Sequence, residues 1–175
     1  MSARAAWRLE SLGFSQVFRY TAGKADWSAN GLPLEGTKVD IPAARDAARR
    51  DVPTCRLTDR VGDVRERAAA GGWDECVVVN DQGVVLGRLR QRELGAEQSM
   101  MVDAVLEPGP TTFRPDVPLE DLVRRMRERS VERVLITDSD GRLIGVLARE
   151  DAERRLQESA AIGGDGARVR GSADG

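Results

Sequence analysis

"WDECVVVNDQGVVLGRLRQREL", residues 73–94, and "VERVLITDSDGRLIGVLAREDA", residues 131–152, are two copies of one pattern. They align without a gap at a spacing of 58 residues, so that Gly83 matches Gly141. In each copy, two short apolar runs flank a turn that ends on this glycine, which is typical of a β-hairpin. The sequence therefore predicts an internal duplication.

The match extends upstream with one residue inserted in the second copy, "DVPTCRLTDRVGDV" (51–64) against "PGPTTFRPDVPLEDL" (108–122). Each copy then predicts an extended segment, an amphipathic helix, a hairpin and a short helix. The helix of the second copy is the clearer one, because its apolar residues recur at i, i+3, i+4 and i+7. These residues are Leu119, Leu122, Val123 and Met126, and the thinner stripe of the first copy is Val61, Val64 and Ala68.

A single β-α-β-β-α unit of this size is too small to bury a core alone, so the two copies should pack on each other in an α+β fold. The chain has 175 residues, 41% of them hydrophobic and 4% aromatic, which suits one or two small domains. We expect no apolar membrane span of about 20 residues and no signal peptide, hence a cytoplasmic protein. Its 27 Lys and Arg against 29 Asp and Glu argue against a nucleic-acid partner.

The content of cysteine and histidine limits the possible chemistry. The chain has two cysteines, Cys55 and Cys76, and no histidine, which excludes histidine-based acid/base catalysis and disfavours a disulfide scaffold or a zinc site. Cys76 lies within an apolar strand, where a thiol behaves as a small hydrophobe. Cys55 has no evident basic partner that would activate it. We therefore expect a protein that is not an enzyme and needs no metal.

The doubled unit resembles a tandem pair of CBS domains, the regulatory module named after cystathionine β-synthase. The residues that carry the resemblance are the second glycine of the hairpin, Gly145, and the acidic residue six positions later, Asp151. The resemblance implies a first repeat at 41–98 and a second at 99–157, related by a pseudo-twofold axis. It also implies clefts between the repeats, which in many members hold an adenosyl ligand such as AMP, ATP or S-adenosylmethionine.

The lead-in segments repeat as well, since "IPAARDAARRDVPT" (41–54) is similar to "SMMVDAVLEPGPTT" (99–112).

The ligand signature of the family is a glycine, an apolar residue, a serine or threonine and then an aspartate that accepts hydrogen bonds from ribose. The second copy reads "GVLARED", so Asp151 stands at the ribose position while Ala148 replaces the hydroxyl residue. Arg149 is a candidate for a phosphate contact. The alternative for Asp151 is a residue at the start of a helix, favoured there by capping and by the helix dipole.

The first copy departs further from this signature. It reads "GRLRQRE", in which Arg90 replaces the hydroxyl residue and Glu93 replaces the aspartate. The longer carboxylate is displaced, and Arg90 is placed to fill the cleft. The resemblance implies further candidates that line a ligand site, with ordinary strand residues as the alternative: Thr111, Thr112 and Val134.

Residues 1–40 resemble the C-terminal third of a rhodanese domain, with its closing pattern "W…GLP…E" at Trp27, Gly31–Pro33 and Glu35. Before this pattern we expect a helix with Ala5, Leu9 and Leu12 on one face and a short strand at Val17–Phe18. The cysteine nucleophile of that family sits on a loop for which no counterpart precedes the helix. Two interpretations stay open, a vestigial cap packed on the pair or the tail of a longer protein.

At the other end of the chain, we expect a disordered tail at 158–175, because "GGDGARVRGSADG" (163–175) has little apolar content to offset the entropy of ordering.

These features predict a regulatory protein that senses an adenosyl ligand or controls an unknown partner. One alternative is a structural or interaction module whose clefts are filled by its own side chains. A second alternative is a fragment of a rhodanese-type sulfurtransferase. We also expect a homodimer, since the apolar stripe of residues 119–126 cannot all be covered if it faces outward from so small a pair.

Overall fold

The structure is a computed structural model, which describes residues 3–18, 23, 27, 32–33 and 41–168. It is a mixed α+β fold, as predicted. Five α-helices are described: α1 (Ala3–Ser11), α2 (Val61–Ala70), α3 (Gln91–Leu94), α4 (Leu119–Glu128) and α5 (Arg149–Arg168). None of the helices in this described part is long and apolar enough to cross a membrane.

In the described part of the chain, seven strands form two sheets, with the orders β1-β2-β3-β4 and β5-β6-β7. The strands are β1 (Thr54–Cys55), β2 (Cys76–Val79), β3 (Val85–Leu89), β4 (Glu107–Pro108), β5 (Thr112–Phe113), β6 (Arg133–Thr137) and β7 (Leu143–Ala148). The predicted β-α-β-β-α order of each repeat is confirmed. The lead-in segments form short 3-10 turns at equivalent positions, Ala44–Asp46 and Val102–Ala104.

The two hairpin turns have the same local construction. The side-chain oxygen of Asn80 accepts hydrogen bonds from two backbone N–H groups at 2.9 Å, and Asp138 does the same at 2.9 and 2.8 Å. Gly83 and Gly141 have φ values of 79° and 80°, which only glycine adopts without strain. The repeated glycine is therefore required by the turn.

The two repeats exchange their lead-in segments. Arg88 of β3 pairs with Glu107 of β4, in the lead-in segment of the second repeat, and at the equivalent place Arg49 in the lead-in of the first repeat bridges Val146 of β7. A Cβ atom at Gly145 would lie 2.3 Å from the carbonyl oxygen of Arg49. The second glycine of the hairpin motif is thus needed for the close approach of the other repeat's backbone.

A pseudo-twofold axis runs between the hairpins. Val84 and Arg142 stand at equivalent positions of the two repeats and form a bridge with each other. Beside this bridge, the N–H of Val85 donates to the carbonyl of Gly141 at 3.0 Å, and the equivalent bond from Leu143 is also 3.0 Å. The repeats therefore pack on each other, as predicted.

Both hydrophobic cores draw residues from both repeats. The first core contains the buried side chains of β2 together with Leu135 and Val146 of the second repeat. The second core contains the apolar stripe of α4 together with Ala44 from the lead-in of the first repeat. Because neither core is complete within one repeat, the two units should fold together.

The reason we gave for a homodimer is wrong. All four residues of the α4 stripe are buried within the single chain, with exposures of 0%, 0%, 4% and 1% for Leu119, Leu122, Val123 and Met126. They pack in the second core with Ala44, Val134, Ile136, Leu147 and Ala152. The stripe faces the sheet of its own repeat, so it leaves no apolar surface that a second copy must cover.

The N-terminal region differs from expectation where it is described. Helix α1 is present, but Leu12, expected on its apolar face, is 59% exposed and follows the helix. Val17 and Phe18 form no strand. Gly31 and Glu35 of the rhodanese-like pattern lie outside the described residues, so that resemblance stays a prediction.

The predicted boundary of the tail at residue 158 is placed too early, because α5 continues to Arg168. Leu156 packs on the second core, Arg155 lies 3.5 Å from Glu158, and Ala160 and Ala161 favour the helix. Residues 169–175 lie outside the described part of the chain.

Candidate functional site

Asp151 and Ala148 lie in a cleft that is built from both repeats, which we call the Asp151 cleft. It has a volume of about 210 Å³. Its walls come from both repeats. The second repeat contributes Arg133, Val146, Ala148, Glu150 and Asp151, and the first repeat contributes Arg49, Gly72, Trp73 and Asp74. The cleft therefore needs both repeats, and Arg49 of the exchanged lead-in segment forms part of its wall.

The Asp151 carboxylate is in the first turn of α5 but caps nothing. Its side chain is 21% exposed, and it accepts a hydrogen bond from the guanidinium of Arg154 one turn along the helix. Within residues 41–168, no backbone N–H donates to it. The helix dipole still favours a negative charge at this position. However, the capping role has no hydrogen bond to support it, and the ribose role stays a prediction.

Glu93, the equivalent residue of the first repeat, behaves differently. Its Oε2 accepts a hydrogen bond from the backbone N–H of Arg90 at 3.0 Å, which caps the N-terminus of α3. Glu93 lines neither of the two clefts between the repeats. The extra methylene of glutamate thus lets the carboxylate reach back to the helix end, and we find no support for a ligand role.

The second cleft, which we call the first-repeat cleft, has a volume of about 400 Å³. It is lined by Asp74, Glu75, Arg88, Arg90, Gln91, Ser130, Val131, Glu132 and Arg133. Arg90 does not fill it as expected. Its guanidinium instead lies at the wall, 3.4 Å from Glu107, whose carboxylate also accepts a hydrogen bond from Arg88 at 3.0 Å.

The remaining candidates are not brought together with Asp151. Thr111 and Val134 line a third cavity of about 130 Å³, which we call the arginine pocket. Thr112 is exposed and pairs with Leu135 as an ordinary residue of β5. Arg149 lines none of the three cavities, because its guanidinium turns toward Glu153 at 3.9 Å. The expected phosphate contact from Arg149 is therefore not supported.

Sequence reasoning missed two residues of the Asp151 cleft, Arg49 and Trp73. The guanidinium of Arg49 stacks over the Trp73 ring, 4.2 Å from its centroid. It also donates two hydrogen bonds to Asp51, at 3.1 and 2.6 Å, and these lower the pKa of that carboxyl. Nothing in the local pattern links either residue to Asp151, since the contact crosses between repeats.

A charge cluster separates the two clefts. Arg133 donates to Asp74 and also to Glu75, the latter at 3.4 Å. The hydrogen bond from Arg133 lowers the pKa of Asp74, whereas burial raises the pKa of Glu75, whose side chain is 5% exposed. Arg133 lines all three cavities, so a ligand in any of them meets this cluster.

The comparisons with known proteins agree with this architecture. The family model of the CBS domain matches residues 102–158. An uncharacterized protein from Methanopyrus kandleri is 24% identical over 115 residues, which are 61% of this chain and 58% of that relative. This chain thus spans less than two thirds of the relative's length.

Two solved structures have the same fold. CBSX2 in complex with AMP, a protein known from Arabidopsis thaliana, has a TM-score of 0.60 at 22% identity, covering 66% of this chain and 96% of that one. The CBS domain pair of protein MJ0100, in complex with 5′-methylthioadenosine and S-adenosylmethionine, has a TM-score of 0.58 at 15% identity, covering 67% and 98%. The protein therefore has the fold of a tandem pair of CBS domains, and residues 102–158 match the CBS-domain family.

Proposed function

We propose that the protein is a non-catalytic regulatory module that binds an adenosyl ligand in the Asp151 cleft. The observation that carries this proposal is the state of the Asp151 carboxylate, which is partly buried, faces a concave site and is not used for capping. Such a carboxylate can accept hydrogen bonds from the two hydroxyls of a ribose. Arg49 and Arg133, which pair with Asp51 and with Asp74 and Glu75, also line this cleft, and their guanidinium groups can donate to a phosphate.

The proteins of similar fold support the ligand class. One was solved with AMP and another with 5′-methylthioadenosine and S-adenosylmethionine, and all three ligands share an adenosyl group. We therefore propose a ligand of the AMP, ATP or S-adenosylmethionine class as a regulatory ligand and not as a cofactor.

The Asp151 cleft must widen before it can hold an adenosyl ligand. Its volume of about 210 Å³ is below the roughly 300 Å³ at which ligand pockets usually begin. The side chain of Arg49 is 49% exposed and can leave its place over Trp73. We propose that ligand binding moves Arg49 away from the Trp73 ring, which enlarges the cleft.

Calorimetric titration of AMP, ATP and S-adenosylmethionine tests the proposal. Asp151→Asn should weaken the binding of the ligand by about tenfold or more, because the amide is a poorer acceptor for two hydroxyls. The matched control is Glu158→Gln on the same helix, which makes the same chemical change at an exposed position and should bind like wild type. If Asp151→Asn binds as tightly as wild type, Asp151 has no ribose role.

A second variant tests the phosphate end of the site. Ala148→Thr restores the hydroxyl of the family signature, so it should strengthen the binding of phosphorylated nucleotides more than that of adenosine. Equal effects on AMP and adenosine would contradict a phosphate at this position.

A specific observation also favours the alternative of an interaction module without a ligand. Arg49 and Trp73 narrow the Asp151 cleft, and neither repeat keeps the signature hydroxyl. Thermal unfolding separates the two functions, since a ligand that binds only the folded state raises its melting temperature. If the whole adenosyl panel leaves the melting temperature unchanged, the interaction module is the better description.

We also propose that the protein forms a homodimer. A groove between α4 and α5 combines Leu156 and Ala160 with charged residues of both signs, and we propose it as the surface that contacts a second copy. Light scattering of the 19.1 kDa chain at micromolar concentration should give twice this mass if the homodimer forms.

A further inference from the structure

One stretch near the N-terminus concentrates exposed apolar side chains. Among the described residues, the four most exposed large apolar side chains all lie between positions 7 and 18. They are Phe18 at 83%, Trp7 at 65%, Phe14 at 60% and Leu12 at 59% exposed. We call residues 7–18 the aromatic segment. Single exposed apolar side chains are ordinary, whereas a concentration of them marks a contact surface.

The backbone fixes part of this segment at the end of α1. The N–H of Leu12 donates to the carbonyl of Arg8 at 3.2 Å, and the N–H of Phe14 donates to the carbonyl of Leu9 at 3.3 Å. Gly13 lies between them with a φ of 93°, which lets the helix end in a tight turn. The exposed side chains of Leu12 and Phe14 are therefore held beside the helix by hydrogen bonds of their own backbone.

Helix α1 has an inner and an outer side. Ala6 is only 6% exposed, whereas its neighbours Trp7 and Arg8 are both exposed. The helix thus buries a small side chain and leaves a large ring and a cation in solvent. The indole of Trp7 is therefore available to a partner, beside the positive charge of Arg8.

The charge of this region differs in sign from that of the rest of the chain. Residues 1–20 contain three arginines and one glutamate, a net charge of +2, while the whole chain has a net charge of -2. The other 155 residues therefore have a net charge of -4. Residues 11–18 contain no charged side chain, and Arg8 precedes them while Arg19 follows them directly. The exposed aromatic side chains thus coincide with the basic part of an acidic protein.

A bilayer surface that contains anionic lipid fits this combination. Trp, Phe and Leu are favoured at the boundary between headgroups and acyl chains, and basic residues are attracted to anionic headgroups. The uncharged residues 11–18 can enter this boundary without the burial of a charge, while Arg8 and Arg19 meet the lipid phosphates. The acidic remainder of the chain is repelled by the same surface, which orients the aromatic segment toward it. Such a peripheral contact needs no membrane-spanning helix.

We propose that the aromatic segment docks the protein on a membrane surface that contains anionic lipid. None of its residues lines the Asp151 cleft, the first-repeat cleft or the arginine pocket. None of them lines the groove between α4 and α5 either. The proposal therefore depends neither on the adenosyl ligand nor on the homodimer.

Cosedimentation of the full chain with lipid vesicles tests the proposal. Wild type should bind vesicles of phosphatidylcholine and phosphatidylglycerol in equal amounts, and it should bind phosphatidylcholine vesicles about threefold or more weakly, because the arginines add an electrostatic attraction. Added salt should reduce this difference, since it screens the charges. The double variant Phe14→Ser/Phe18→Ser should weaken binding to the mixed vesicles by about tenfold or more, because two aromatic rings no longer leave water.

The matched control is Leu57→Ser/Met101→Ser, which removes two exposed apolar side chains outside the aromatic segment. It should bind the mixed vesicles like wild type. Arg8→Gln should weaken binding to the mixed vesicles but not to phosphatidylcholine vesicles, which separates the charge from the apolar contact. All the substituted side chains are exposed, and thermal unfolding verifies that the variants fold.

Two results would overturn the proposal. One is wild type that does not sediment with the mixed vesicles at low ionic strength. If the double phenylalanine variant then has half the mass of wild type in light scattering, the aromatic segment contacts a second copy instead. The other result is an equal loss of vesicle binding in Phe14→Ser/Phe18→Ser and in Leu57→Ser/Met101→Ser, which would mean that the aromatic segment has no special role.

Discussion

Glu75 and Arg133 occupy equivalent positions of the two repeats, 58 residues apart in the sequence, and their side chains meet at 3.4 Å where the repeats join. An unmodified duplication would place identical residues here, and two like charges at this distance would repel. The opposite charges make the contact favourable. The carboxylate is the more buried partner, with a side-chain exposure of 5% against 38% for the arginine.

Removing the arginine of this pair should destabilise the protein. Arg133→Met leaves the buried carboxylate of Glu75 without its cation, and we expect the free energy of unfolding to fall by about 1–3 kcal/mol. The double variant Glu75→Gln/Arg133→Met should recover part of this loss. Urea unfolding measures both values, with Arg124→Met as the control for an exposed ion pair, expected to cost less than about 1 kcal/mol. Equal losses in Arg133→Met and Arg124→Met would contradict a special role of the pair.

The stability of the protein should depend on pH through Glu75. Burial raises the pKa of this carboxyl above its ordinary value of 4.5, so the folded state binds the proton more tightly than the unfolded state does. The stabilisation that this proton provides is present below pH 4.5 and is lost as the pH rises through the folded pKa. Glu75→Gln removes the titration. Wild type should therefore lose stability relative to Glu75→Gln as the pH rises from 4 toward 7 in urea unfolding series, and parallel pH curves would contradict the shift.

The close approach at Gly145 should tolerate no side chain. In Gly145→Ala, the new Cβ would lie 2.3 Å from the carbonyl oxygen of Arg49, so β7 and the lead-in segment must separate. We expect a loss of about 1–3 kcal/mol in the free energy of unfolding. Gly62→Ala is the matched control in α2, where the new Cβ lies 3.1 Å from the Cβ of Gln98 and alanine favours the helix. If Gly145→Ala is as stable as the control, the backbone pairing between Arg49 and Val146 can separate at little cost in free energy.

The two thiols should be inert in the native protein. Cys55 and Cys76 are 3% and 0% exposed, and the hydrogen bond between the two thiols, together with burial, raises the pKa of Cys76. A buried protonated thiol is a poor nucleophile. Mass spectrometry after treatment with iodoacetamide should therefore find little alkylation until the protein is unfolded. Rapid alkylation of Cys55 in the native state would instead favour the sulfurtransferase alternative, which needs a reactive thiol.

Much of the fold could be predicted because its determinants are local. The short apolar runs and the glycines at 83 and 141 define the hairpins, and the spacing of Leu119, Leu122 and Met126 defines α4, because a helix has a fixed period. The spacing of 58 residues between identical patterns then implies the pairing of two units. Asp151 was singled out by the family resemblance, in which an acidic residue stands six positions after Gly145.

The composition of the sites could not be predicted, because it depends on contacts between residues that are far apart in the chain. The exchange of lead-in segments places Arg49 in the cleft of Asp151, the packing of the two repeats places Trp73 there, and the same packing brings Arg125 and Arg129 to the cavity of Arg88 and Arg90.

Contacts between distant residues also explain why Glu93 and Asp151, at equivalent positions of the two repeats, have different roles. By itself, the sequence determined that each repeat carries a carboxylate at the start of its last helix, Glu93 and Asp151. The tertiary structure decided that Glu93 bonds the backbone at the start of α3, whereas Asp151 pairs with Arg154 at the edge of a cleft. The physical reason is that a carboxylate's role depends on the donors within about 3 Å of it, and packing brings those donors together.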